Sequence, residues 1–489
     1  MIDPQARAFL REGASYTDRA RLEEARVALE VARQRSSVEG DADCFFDATL
    51  ALARVHNSRY CNERVLGLTD ELLMSSHYSD NSRLMRASLR RAFSLTDIGR
   101  AQDALDLLTS AAKRTEAFAR RDLHEFLLAR VYAETRLGLL SPALYNSNLA
   151  TTFDVPAEDI QIFHHNMAMA LGESGLLREA LSHSDRALAA VRGSSRSAWV
   201  AHVNASRAWL LLQGGRLEEA RSYLDIALLE RTLTPVTFGR RGAVAAMLAH
   251  LTKDKKLESA SDEAFEWVTS GGAEDYRLGP MAVGCHALFV ARGLMNEART
   301  LRERILSNLR CVFGMWWFLY EVVAHGDRDE REYATALLSG SSDAQPMARG
   351  FRCMASAVEA RRAGRVRESI ALAREAEAIF SGSGMALHAA TAMRLSGRRR
   401  QADELLRQCQ ARIRGSELGR HDPGKGDPRL TKRQNEVAQL ASAGLGNAKI
   451  AESLGITQST VEQHLAAARA RLNVRNRAEF RQALDLSQP

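Results

Sequence analysis

Apolar side chains recur at helical spacing along most of the chain. In residues 215–230, GRLEEARSYLDIALLE, the positions Leu217, Ala220, Leu224, Ala227 and Leu228 lie three, four or one apart and form one helical stripe. Gly215 stands where the preceding helix must stop, free to take the left-handed conformation. The alanine five positions on is small enough for two helices to approach closely. The same spacing returns at Gly99/Ala104, Gly138/Ala143, Gly175/Ala180, Gly293/Ala298 and Gly397/Ala402, with degenerate copies at Ala20/Ala25, Lys255/Ala260 and Gly364/Ser369. From Gly99 to Gly293 successive starts are 39, 37, 40, 40 and 38 residues apart. The wider intervals before Gly99 and after Gly293 each hold two units, the first with a weak copy near Ser58. A helix pair of this size cannot bury its stripe alone, so neighbours must stack into a solenoid. The pattern predicts an all-α region of about ten helix pairs over residues 1–412.

Such an array resembles the tetratricopeptide repeat (TPR) family, whose usual period is ~34 residues. The longer period here is more similar to the superhelical sensor region of the large regulators of the maltose-regulon-activator type. A HEAT-like array is the alternative.

The periodicity breaks at residues 413–428, where Gly and Pro accumulate; this segment is expected to be a linker. Residues 429–489 then predict four short helices. Thr431 and Gln434 have the spacing of a capping box. The first helix runs from there to about Ala443 and stops at Gly444. Asn447 is expected to cap a second helix ending near Leu454, and Gly455-Ile456 a tight turn. Thr457 is expected to cap a third helix over about 458–472, and Asn476 opens a fourth. Helix, short Gly-containing turn, helix is the helix-turn-helix pattern. On the third helix Val461, Leu465, Ala468 and Leu472 repeat at four, three and four and form its buried stripe.

The run LTKRQNEVAQLASAGLGNAKIAESLGITQSTVEQHLAAARARLNVRNRAEF resembles the LuxR-type DNA-binding domain over about 55 residues. The matching elements include Leu430-Thr431, Val437, Gly444, Asn447, Ile450-Ala451, Leu454, Thr460-Val461, His464-Leu465, Leu472 and Arg477-Ala478. A recognition helix offers its exposed N-terminal residues to base edges in the major groove. The expected base readers are Ser459, Glu462, Gln463 and Ala466. Glu can accept from a cytosine amino group, Gln can pair with adenine, and Ala can touch a thymine methyl. Phosphate contacts need cations, small polar groups and helix N-termini. The candidates are Asn447, Lys449, Thr457, Thr460, His464, Arg469, Arg471 and Arg475. At Arg471 the resemblance implies a basic residue directly. Two departures stand out: Glu462 replaces a Lys common in the family, and Lys449 sits one place later than the family's Lys.

Composition narrows the alternatives. Nine prolines in 489 residues leave helices free to run. No apolar stretch reaches the ~20 residues a membrane span needs, and the N-terminus lacks a basic start followed by an apolar run. The six cysteines are scattered, as expected of a reducing cytoplasm. No GxxxxGK[ST] loop, nucleophile motif or zinc-ligand spacing occurs. Adjacent His164 and His165 point apart on a helix and make poor co-ligands. The formal charge is +7. Residues 428–489 hold nine Lys or Arg against five Asp or Glu, a net +4, so more than half of the excess lies in the last eighth of the chain. An aromatic cluster, Phe313, Trp316, Trp317 and Tyr320, is either repeat core or an effector-binding wall on the inner surface of the solenoid.

The expectation is a cytoplasmic bacterial transcription regulator that binds specific double-stranded DNA. It would not be an enzyme and would need no cofactor or metal. The resemblance implies a homodimer on DNA, with RNA polymerase or another protein as partner. The repeat region would take a small-molecule effector, a peptide or a protein. The alternative is an interaction scaffold whose helix-turn-helix has lost specific DNA binding.

Overall fold

The computed structural model describes residues 4–18, 21–58, 61–75, 80–113, 120–150, 157–191, 197–230, 235–269, 279–307, 309, 314–341, 345–411, 430–442 and 445–472. The predicted linker and the fourth C-terminal helix lie outside these residues. Among the described residues all regular structure is helical, and no helix is long and apolar enough to cross a membrane.

Among the described residues from Pro4 to Gln408 the helices form eleven successive pairs, against the ten or so expected. Each repeat glycine named above from Gly99 to Gly397 takes a positive φ, between +71° and +94°. The turn is the same each time. The N–H after the glycine donates back to the carbonyl five residues earlier, as in Arg100 to Leu95, Leu176 to Leu171, Arg216 to Leu211 and Arg398 to Met393. This closes the end of one helix and starts the next. Arg21 to Tyr16 and Cys61 to His56 repeat the bond in the first two pairs. The second copy therefore falls two residues beyond the Ser58 of the sequence pattern. The alanine five positions after each of the six glycines of the undegenerate pattern is fully buried.

One unit departs. At the Lys255 copy the left-handed residue is Lys253, and Asp254 accepts from the Lys256 N–H at the head of a short 3-10 turn. A lysine pays the steric cost of that conformation poorly, and Ala260 in this unit is only half-buried.

The inner helices carry little amphipathic pattern, because the array curls back on itself. Residues 201–213 and 242–251 are buried without a break. A helix surrounded on all sides has no solvent face to set against an apolar stripe, and its polar residues, such as His202 and Arg207, are buried with the rest. Helix Ser197–Gln213 packs against its sequence neighbours and also against Ala386–Leu395, two hundred residues on; Ala157–Ser174 meets Pro346–Arg362 in the same way. A Cβ on Gly175 would lie 2.9 Å from Pro346, and one on Gly215 would lie 2.4 Å from the Cys409 sulfur. A single apolar core consequently runs from Met85 to Ala411.

This closure decides the aromatic cluster. Trp316 and Tyr320 are buried, at 5% and 1% exposure, and Trp317 is half-buried. Trp317 lies 5.8 Å from Trp209, 6.3 Å from Phe351 and 4.3 Å from His388, ring centre to ring centre. Of the two readings, repeat core and effector wall, the described rings are packed as core. Phe313 lies outside the described residues.

Several polar groups inside the array are paired across helices. His164 and His165 diverge as expected: the first meets His183 at 3.1 Å, the second meets His202 at 3.0 Å. Further along, Arg302 donates to Glu330 at 3.0 Å and to His286 Nε2 at 3.1 Å. The other face of His286 looks at Glu321 at 3.6 Å, and His325 reaches the same carboxylate at 3.4 Å. Burial holds His286 and His164 down to about 4 and His388 to about 3.

Candidate nucleic-acid interface

The C-terminal helices are built from their caps inward. Thr431 accepts from the Gln434 N–H at 3.3 Å, and the Gln434 side chain accepts from the Thr431 N–H at 2.9 Å. This reciprocal pair starts helix Lys432–Ser442. The second helix, Asn447–Leu454, begins one residue earlier than expected. Gly446 is its N-cap, in extended conformation, and Asn447 is the first helical residue. Gly455 ends it at φ +62°, its N–H donating to Ala451 and Glu452 carbonyls. Only Ile456 and Thr457 then separate that turn from the third helix, Gln458–Leu472. Thr457 caps it, accepting from the Thr460 N–H at 3.1 Å.

The three helices close over a small core. Val461, Leu465 and Ala468 are buried against Leu430, Val437, Ala438, Ala441, Ile450 and Ala451. The fourth expected member of the stripe, Leu472, ends the helix. Burying this stripe turns the opposite side outward. Ser459, Glu462, Gln463 and Ala466 are all exposed there, three, one and three residues apart, with Gln458 and Arg469 beside them.

The phosphate candidates are less uniform. Lys449 and Arg469 are exposed; Asn447, Thr460 and His464 are half-buried. Thr457 spends its hydroxyl on the helix cap and on the Thr460 hydroxyl, at 2.8 Å. Arg471 is exposed but tethered: its guanidinium donates to the Gln434 side chain at 2.8 Å, joining the end of the third helix to the start of the first. Asn447 donates to Glu462 Oε1 at 3.4 Å. Arg475 lies outside the described residues.

Sequence reasoning missed Arg433. It donates to the Leu454 carbonyl at 2.5 Å and to Glu436 at 2.8 Å, so it satisfies the open C-terminus of the second helix from the first. The Arg–Glu spacing of three is visible in the sequence; the carbonyl partner is not.

Residues 428–483 match the family described as bacterial regulatory proteins, luxR family. A comparison with curated proteins finds no match. Among solved structures, the chain is similar to the apo form of the quorum sensor NprR from B. thuringiensis. Identity is 12% over 76% of this chain and 99% of that one, with a TM-score of 0.38. A Rap protein complexed with competence and sporulation factor is 12% identical over 78% of this chain and 99% of that one, TM-score 0.44. The APC/C hetero-tetramer Cut9-Hcn1 is 13% identical over 97% and 96%, TM-score 0.33. Residues 428–483, folded as a capped helix-turn-helix around Val461 within the described residues, thus match the luxR family of bacterial regulatory proteins, and they follow an array of helix pairs.

Proposed function

We propose that the protein is a sequence-specific transcriptional regulator whose helix Gln458–Leu472 enters the major groove of duplex DNA. Residues 1–412 form the sensing or partner-binding array, 413–428 the linker and 429–489 the DNA-binding domain. Ser459, Glu462, Gln463 and Ala466 read base edges. Lys449, Arg469, Arg471 and Arg475 hold phosphates, with Asn447, Thr457, Thr460 and His464 beside them. One observation carries the reading: the third helix buries Val461, Leu465 and Ala468 and leaves the four base-reading candidates exposed on the other side. The net +4 of residues 428–489 supports it, because neutralising phosphates is the sequence-independent part of such binding. The chain acts as a homodimer on two half-sites. Its array, closed and filled within the described residues, takes a protein or peptide on its outer surface or an effector that opens it. RNA polymerase is the natural protein partner for such a regulator.

The test is selection of bound fragments from genomic DNA with the full chain, followed by titration of the recovered site across salt. A defined site is expected, with affinity falling steeply as salt rises. Absence of binding to any duplex at low salt would overturn the proposal. A site without internal two-fold symmetry would overturn the dimer.

A further inference from the structure

Glu462 is an awkward base reader by itself. It is a carboxylate facing a phosphate-lined groove, on a side chain with three rotatable bonds, and fixing such a chain costs entropy. The structure supplies what would offset both problems. The Asn447 side-chain amide, on the second helix, donates to Glu462 Oε1 across fifteen residues of sequence. Asn447 is the first residue of helix Asn447–Leu454, so the carboxylate also lies beside the positive end of that helix. An ionised carboxylate accepts at both oxygens. With Oε1 engaged by Asn447, Oε2 remains to accept from a base.

We infer that Asn447 is a positioning residue for base readout: it aims Glu462 at a cytosine amino group and thereby sets preference at one base pair. This rests on the DNA-binding reading above and changes the part Asn447 plays in it. A residue that only held a phosphate would weaken binding to every sequence alike. A residue that acts through Glu462 changes the ratio between sequences and leaves little further effect once Glu462 is gone.

The experiment measures binding of the full chain to the selected site and to its three single-base alternatives at the position where Glu462→Ala loses preference. Wild type, Asn447→Ala, Asn447→Asp, Glu462→Ala and the Asn447→Ala/Glu462→Ala double variant are compared. A well-placed side chain discriminates by roughly 5- to 150-fold, the range that corresponds to ~1–3 kcal/mol. Asn447→Ala should lose most of that ratio at the same position and no other. The double variant should discriminate no less than Glu462→Ala alone, the non-additivity expected of two groups acting as one. Asn447→Asp is the sharper arm. An acidic first residue favours the helix start, so the fold is kept, while its charge repels Glu462. It should abolish the preference with an unchanged thermal midpoint.

Uniform weakening by Asn447→Ala, with Glu462 discrimination intact, would overturn the inference and leave the DNA-binding reading standing. So would a Glu462→Ala variant with no change in preference at any position. Failure of the wild type to bind duplex DNA would overturn both.

Discussion

Two helical glycines in the array should respond to alanine with opposite signs. Gly284 lies inside helix Gly279–Arg292, where its missing side chain faces helix Pro235–Thr252. A Cβ there would sit 2.4 Å from the Ala243 carbonyl oxygen and 3.0 Å from that residue's Cα and carbonyl carbon. An ordinary carbon–oxygen contact is about 3.3 Å or more. The two helices would have to part by roughly 1 Å, and the obstacle is backbone, which no rotamer change can move. Residues 242–251 of the facing helix are buried throughout, so its displacement disturbs packing on every side. Overpacking of this kind costs ~1–3 kcal/mol. Replacing a mid-helix glycine by alanine returns at most ~1 kcal/mol of helix propensity. With backbone as the obstacle the cost falls at the upper end of that range, so the expected result is net destabilisation of about 2 kcal/mol. Gly67, in the middle of helix Asn62–Leu73, is exposed and a Cβ there would meet nothing within 4 Å. Only the propensity gain remains, so Gly67→Ala should stabilise by ~0.5–1 kcal/mol. Urea unfolding followed by circular dichroism on the full chain, both variants beside the wild type, measures the pair. A Gly284→Ala protein as stable as the wild type would refute the inferred close approach of these two helices. A destabilised Gly67→Ala would refute the propensity argument itself.

The buried imidazoles make stability depend on pH. Burial lowers His164 and His286 to about 4 and His388 to about 3, and also lowers His165, His183 and His325. Between the ordinary imidazole pKa of ~6.5 and these values the unfolded chain binds protons that the folded chain refuses. The urea midpoint should therefore fall as pH is lowered from about 7 towards 4. Glu173 and Asp47, raised by burial, act in the opposite sense, two carboxyls against six imidazoles. Arg302→Ala leaves Glu330 and His286 without the guanidinium between them, and the loss should be about 3 kcal/mol or more in the same assay. On DNA, Arg471→Ala should weaken all sequences alike and reduce the salt slope by about one. Gln463→Ala should cost roughly 1–3 kcal/mol at one base position and relax preference there, which competition between single-base variants of the site would reveal.

What could be read from the chain alone was whatever a few neighbouring residues decide. The left-handed turn at Gly215 and its counterparts needs only a residue without a Cβ at the end of a helix. The burial of Ala220 or Ala402 follows from a stripe that repeats every three or four positions. The same logic exposes Glu462 and Gln463, because Val461, Leu465 and Ala468 can face only one way. Divergence of His164 and His165 is likewise a local consequence of helix geometry.

Contacts that join distant parts of the chain were decided by the tertiary structure. The curl that brings Gly175 to Pro346 and Trp209 to Trp317 accumulates from a small rotation at each helix pair. No single repeat carries enough of that rotation in its sequence to show whether the array stays open or closes. Closure packed Trp317 of the aromatic cluster against Trp209 and His388, and the stacking of successive helices selected His183 and His202 as separate partners for two adjacent histidines. In the C-terminal domain the same holds at smaller scale. The helix faces were legible, but the Asn447–Glu462 and Gln434–Arg471 hydrogen bonds depend on how three short helices cross, and that angle is set by the side chains packed between them.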